Sequence, residues 1–104
     1  MEIEFGDIAL QRLAQPKVRS SPRFGDRSAA LFRQRLCELM AADNLAILKT
    51  LPALALHSTN GDGRFSIRID AKHRLLFEAL GSEPGASLAQ AAINRIRLIA
   101  VEEG

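Results

Sequence analysis

The residues best suited to chemistry in this chain are cations. Arginine supplies 11 of the 14 basic residues, and a guanidinium is permanently charged, planar and able to donate two parallel hydrogen bonds to one phosphate. Three arginines, Arg64, Arg68 and Arg74, cluster in one short stretch with Ser66 among them. The two histidines are His57 and His73, and an imidazole exchanges protons near neutral pH. His73 is placed in a turn and expected to be solvated. Cys37 is the single cysteine, so an internal disulfide and a thiolate zinc site are both excluded. It is expected to be a small, partly buried residue. No other metal-ligand spacing is present, and no metal is expected. Asn60-Gly61-Asp62-Gly63 reads as a hairpin turn and not as a phosphate-cradling loop, because no helix follows it.

Whether the arginines act together depends on strand register. Residues 64–70 alternate, with Phe65, Ile67 and Ile69 on one side and Arg64, Ser66 and Arg68 on the other. Residues 74–79 form a second strand, and a one-residue slip between the two would exchange their faces. A two-residue turn at Ala71-Lys72 sets Ile69 against Arg74. A three-residue loop, Ala71-Lys72-His73, sets Ile69 against Leu75 and Ile67 against Phe77, which keeps the apolar residues together. The longer loop is expected. The opposite face then collects Arg64, Ser66, Arg68, Arg74, Leu76 and Glu78, with Asp70 beside Arg74. Such a face can hold a sugar–phosphate backbone; a plain solvated sheet face has the same pattern.

The remaining pattern supplies the elements that position these residues. Residues 2–5 read as a strand and Asp7 to Gln15 as a short helix ended by Pro16. Residues 16–25 read as a loop. In 27–43, Ala29, Phe32, Leu36, Leu39 and Met40 recur on one helical face, with Asp26 as N-cap and Asn44 as a left-handed exit. One or two further helical turns precede Pro52. Strands are expected over 53–58, 64–70, 74–79 and 93–102, with a loop at 81–86 and a helical turn at 88–92. Helices set apart from a run of adjacent strands give an α+β fold: an N-terminal strand and helical pair on a mostly antiparallel, curved sheet of four to five strands. A chain of 104 residues, 47% hydrophobic and 25% charged, fits one globular domain over 1–104. Its acidic start, Met1-Glu2-Ile3-Glu4, is unlike a signal peptide, and no apolar run is long enough to span a membrane. A cytoplasmic setting without membrane attachment is the expectation.

The run Phe32-Arg33-Gln34-Arg35-Leu36-Cys37-Glu38-Leu39-Met40-Ala41-Ala42-Asp43-Asn44-Leu45 resembles the long helix of HigB-like killer toxins of the RelE/ParE superfamily. Leu51-Pro52, Leu56-His57, Gly61-Asp62, Phe65-Ser66-Ile67 and Arg74-Leu75-Leu76-Phe77-Glu78 continue the resemblance in order, over about residues 1–101. It implies a RelE-like fold in the toxin of a bacterial type II toxin–antitoxin pair. The implied activity is ribosome-dependent cleavage of messenger RNA, without a cofactor. The implied partners are the ribosome with its mRNA and a helix-turn-helix antitoxin, in a homodimer or a hetero-oligomer with that antitoxin. Residue by residue, His57 matches the family's histidine as acid or base, and Arg74 its arginine before the apolar strand. Arg68 joins them from the register argument, Arg64 and Ser66 as RNA contacts on the same face.

The end of the chain differs from the family pattern. Where Asp-Tyr-His is common, this chain has Glu102-Glu103-Gly104, and it contains no tyrosine or tryptophan. Glu102 keeps the carboxylate. The turn before Phe65 is about two residues shorter and lacks the usual basic pair. Two alternatives follow from the same resemblance: a ParE-like gyrase inhibitor, or a degenerate toxin kept for antitoxin binding and operon regulation.

Overall fold

A computed structural model describes residues 1–15, 25–59, 63–80 and 94–103. Its elements are β1 (Glu2–Phe5), α1 (Ile8–Leu13), α2 (Asp26–Ala41), α3 (Leu45–Leu48), a 3-10 turn (Pro52–Leu54), β2 (His57–Thr59), β3 (Arg64–Arg68), β4 (His73–Ala79) and β5 (Arg95–Glu103). The five strands form one mixed sheet in the order β1-β5-β4-β3-β2, with β1 parallel to β5 and the other pairs antiparallel. The α+β architecture expected from the sequence is observed. The expected loop over 16–25 apart from Gly25, the loop over 81–86, the helical turn over 88–92 and most of the Asn60–Gly63 turn lie outside the described residues.

The core lies between α2 and one face of the sheet. Ala29, Phe32, Leu36 and Leu39 of α2 are buried, as are Phe65, Ile67, Leu75, Phe77, Ile96 and Leu98 from the strands and Ile69 just past β3. Burying a side chain of this size is worth about 1.5–3 kcal/mol, so this interface dominates the energetics that hold the sheet's other face in place. Phe65 and Phe77 stack across β3 and β4 with ring centroids 5.9 Å apart. Met40, assigned by periodicity to the same helical stripe, lies at its margin and is 64% exposed.

Several local expectations are corrected. Asp26 is the first helical residue of α2, and Gly25, with φ 82°, occupies the N-cap position. Asn44 is extended and not left-handed. Its side chain accepts from the Ile47 amide and so starts α3 where an exit was expected. The strand expected over 53–58 begins only at His57, because Pro52 opens a 3-10 turn that ends in a left-handed Ala55. Cys37 is exposed. His73 is buried, being the first residue of β4 and not a turn residue.

Glycine is required where β1 meets β5. The Gly6 amide donates to the Leu98 carbonyl at 2.8 Å, and a Cβ at Gly6 would lie 2.6 Å from that same oxygen.

Candidate active site

Four residues, Ile69 to Lys72, connect β3 to β4, and the turn proper is Asp70, Ala71 and Lys72 where Ala71-Lys72-His73 was expected. Ile69 donates to the His73 carbonyl at 3.0 Å. The register is therefore Phe65 with Phe77, Ile67 with Leu75 and Arg68 with Arg74, two residues away from the expected pairing. A shift of two preserves the faces, since side chains alternate with period two. The apolar set is together on the core side. Arg64, Ser66, Arg68, Arg74, Leu76 and Glu78 share the outer face. What changes is the neighbour of Arg74, which is Arg68 and not Asp70.

Asp70 instead closes the loop and ties it to α2. Its carboxylate accepts from the amides of Lys72 and His73 at 2.8 and 2.9 Å and from the Ser28 hydroxyl at 2.6 Å, and it pairs with His73 Nδ1 at 2.9 Å. Burial alone would raise its pKa. The hydrogen bonds from Ser28, Lys72 and His73 outweigh that and hold the carboxyl well below the usual carboxylate range. At the foot of the same hairpin, Arg35 Nε donates to the Arg68 carbonyl at 3.0 Å and pairs with Glu38 at 3.0 Å. Arg68 and Arg74 thus stand on a hairpin anchored to the long helix.

Arg74 has its own cradle. Nε donates to Ser66 Oγ at 3.0 Å, and Nη2 donates to the Ala55 carbonyl at 2.6 Å and the Ser66 carbonyl at 3.2 Å. Ala55 presents that carbonyl from a left-handed conformation, φ 45° and ψ 55°, which is uncommon for a residue with a Cβ and costs about 1–2 kcal/mol. Burial and the neighbouring Arg68 charge lower the pKa of Arg74, though an arginine retains its proton at any physiological pH. Like charges directly opposite on a sheet are destabilising by themselves, so the Arg68–Arg74 pair favours an anion between them.

His57 pairs with Ser66 across β2 and β3, and directly paired residues share a face. Glu102 pairs with Arg74 across β4 and β5. It reaches the outer face through an irregularity. Phe77 pairs with Leu98 but Leu76 pairs with Ala100, leaving Ile99 as one extra residue in β5. Strict alternation from Ile96 and Leu98 would aim Glu102 at the core; the bulge aims Val101 there and Glu102 outward. His57, Ser66, Arg68, Arg74 and Glu102 are thereby gathered on one face, with Glu102 and His57 on opposite flanks of Arg74.

Arg64 occupies the other half of that face. It pairs with Glu78 in register, and a ladder of alternating charge runs beyond it. Arg97 contacts Glu78 at 3.2 Å and Glu4 at 3.3 Å, while Arg95 contacts Glu4 at 3.3 Å and Glu2 at 3.2 Å. Acid and base alternate there, so the positive potential concentrates at Arg68 and Arg74. Sequence reasoning missed the Ala55 carbonyl, which carries no side-chain signal, and the bulge. The bulge does have a signal: Leu98-Ile99-Ala100-Val101 interrupts the alternation of β5. Among the described residues, no group of three His, Cys, Asp or Glu side chains could hold a metal ion, and no helix is long and apolar enough to cross a membrane.

A scan against protein-family models finds no match, and no curated protein matches by sequence. Among solved structures, the chain resembles a YoeB/ParE toxin from Agrobacterium tumefaciens, with a TM-score of 0.54 and 16% identity over 100% of this chain and 99% of the other. The chain shares the overall fold of that toxin. At this identity the likeness concerns the fold alone.

Proposed function

We propose that this protein is the toxin of a type II toxin–antitoxin pair and that it cleaves RNA at the face bearing His57, Arg68, Arg74 and Glu102. The single observation that carries the reading is the placement of an acid–base candidate on each side of a cradled arginine. Cleavage by the 2′-hydroxyl needs a base at the attacking oxygen and an acid at the leaving 5′-oxygen, and these oxygens lie on opposite sides of the phosphorus. Glu102 on β5 and His57 on β2 flank Arg74 from opposite directions. Glu102 accepts the 2′-hydroxyl proton, and His57 donates to the leaving 5′-oxygen. Arg74 and Arg68 stabilise the negative charge that builds on the phosphate. The product ends are a 2′,3′-cyclic phosphate and a 5′-hydroxyl. The reaction uses protein groups alone, in keeping with a family that needs no cofactor. The proposed partners are the ribosome with its mRNA and a cognate antitoxin.

Induction in a bacterial host tests the reading. Growth arrest with new mRNA 5′ ends is expected, relieved by His57→Ala or Arg74→Ala in soluble, folded variants. Growth arrest with intact transcripts and lost DNA supercoiling would replace RNA cleavage by gyrase inhibition. Unchanged growth with a neighbouring antitoxin gene would leave a regulatory role in its place.

A further inference from the structure

Ser66 lies on the outer face between Arg64 and Arg68, both exposed, yet is itself only 8% exposed. Its hydroxyl accepts from Arg74 Nε at 3.0 Å and its carbonyl from Nη2 at 3.2 Å. With the Ala55 carbonyl on Nη2 at 2.6 Å, Nε and Nη2 are both engaged by protein. Two points on a rigid fork fix its plane. Nη1 makes no hydrogen bond among the described residues and is the part of the fork available to a ligand.

We infer that Ser66 is a positioning residue: it meets no RNA, and acts by fixing the Arg74 guanidinium so that Nη1 is offered to the phosphate. This rests on the reading above for the role of Arg74. The role differs from the direct RNA contact expected of Ser66 from sequence. The hydroxyl is the replaceable part of the cradle, since both other acceptors are backbone carbonyls. Alanine at position 66 leaves Nε without its acceptor and lets the fork turn; threonine keeps the oxygen and suits a strand.

Two measurements on the full-length protein test this. The first is binding of a single-stranded RNA oligonucleotide at several salt concentrations to wild type, Ser66→Ala, Ser66→Thr, Arg74→Ala and the Ser66→Ala/Arg74→Ala double variant. Ser66→Ala is expected to weaken binding roughly fivefold and to reduce the salt slope by up to about 0.7, the share of one phosphate contact on a single strand. Ser66→Thr is expected to restore both, and the double variant to bind no more weakly than Arg74→Ala. An undiminished Ser66→Ala effect in the Arg74→Ala background, or no effect in wild type, overturns the inference.

The second measurement is independent of RNA. The Arg74 Nε–H resonance in NMR is expected to exchange slowly with solvent in wild type and Ser66→Thr, and rapidly in Ser66→Ala. Equal exchange in wild type and Ser66→Ala overturns the inference whatever the RNA result. Protection lost in Ser66→Ala, in a protein that binds no RNA, sinks the RNA reading and leaves Ser66 as the residue that holds Arg74.

Discussion

Arg74 and Glu102 face each other across β4 and β5 because β5 carries one residue more than its partner, Ile99. The bulge sits beside the Leu98 carbonyl that binds Gly6, so the irregularity lies where β1, β4 and β5 are all held together. Bulges re-aim side chains at functional edges, and this one turns a carboxylate from the core side to the cationic side.

Glu102→Gln separates charge from proton transfer. Removing a carboxylate opposite Arg74 makes the face more positive, so affinity for single-stranded RNA is expected to rise modestly. Cleavage is expected to fall by about 10²–10⁴, the range for loss of a general base. Single-turnover cleavage and binding assays on one oligonucleotide check the two effects. A fall in binding that matches the fall in cleavage contradicts the assignment.

Arg74→Lys is expected to behave nearly as badly as Arg74→Ala. An ammonium is a point charge and cannot bridge Ser66 Oγ, the Ser66 carbonyl and the Ala55 carbonyl with one fork. Loss of transition-state stabilisation by one such donor is worth about 10²–10³ in rate. Both variants are checked by cleavage rate, with far-UV circular dichroism to verify folding.

Arg68→Ala is expected to part stability from function. It removes the like charge facing Arg74, so Tm should hold or rise by a few degrees, since such a pair costs about 0.2–1 kcal/mol. The salt slope of RNA binding should fall by about 0.7. Thermal unfolding and a salt titration measure the two. A drop in Tm with an unchanged slope points to a structural role.

Asp70 governs acid stability. Its carboxyl is held below the normal carboxylate range in the folded protein, so the folded state binds fewer protons than the unfolded state as pH falls. Its stabilisation is complete above the unfolded carboxylate pKa, near 4, and is lost progressively as the pH drops below that value. Asp70→Asn is expected to lower stability at pH 7 by about 1–3 kcal/mol, through broken hydrogen bonds with Ser28 and His73. It should also flatten the decline below pH 4. Urea unfolding at pH 7, 5 and 3 reads both effects.

Much of this was legible in the sequence, for identifiable reasons. The period of α2 and the alternation of β3 are strong signals because each element buries one face. They determine which arginines share a surface, and the observed register differs from the expected one by two residues. The difference comes from Asp70: its side chain caps the loop from within and draws Ile69 against His73, which alternation alone does not reveal. The expectation of a solvated His73 fails for the same reason, since the Asp70 carboxylate lets a buried imidazole keep a partner. The left-handed Ala55 leaves no trace in residue type, because alanine is not what such a conformation usually recruits. Glu102 enters the proposed site through the family resemblance alone; its geometry depends on the Ile99 bulge.

The end chemistry of the RNA product is the most direct test of the central claim, that Glu102 and His57 work from opposite sides of a phosphate held by Arg68 and Arg74. RNA recovered after incubation of the protein with translating ribosomes is to be mapped for its termini. Fragments ending in 2′,3′-cyclic phosphate and beginning with 5′-hydroxyl, lost in His57→Ala and in Glu102→Gln, are the predicted result. Fragments with 3′-hydroxyl and 5′-phosphate ends, or uncut RNA from a protein that still arrests growth, would contradict it.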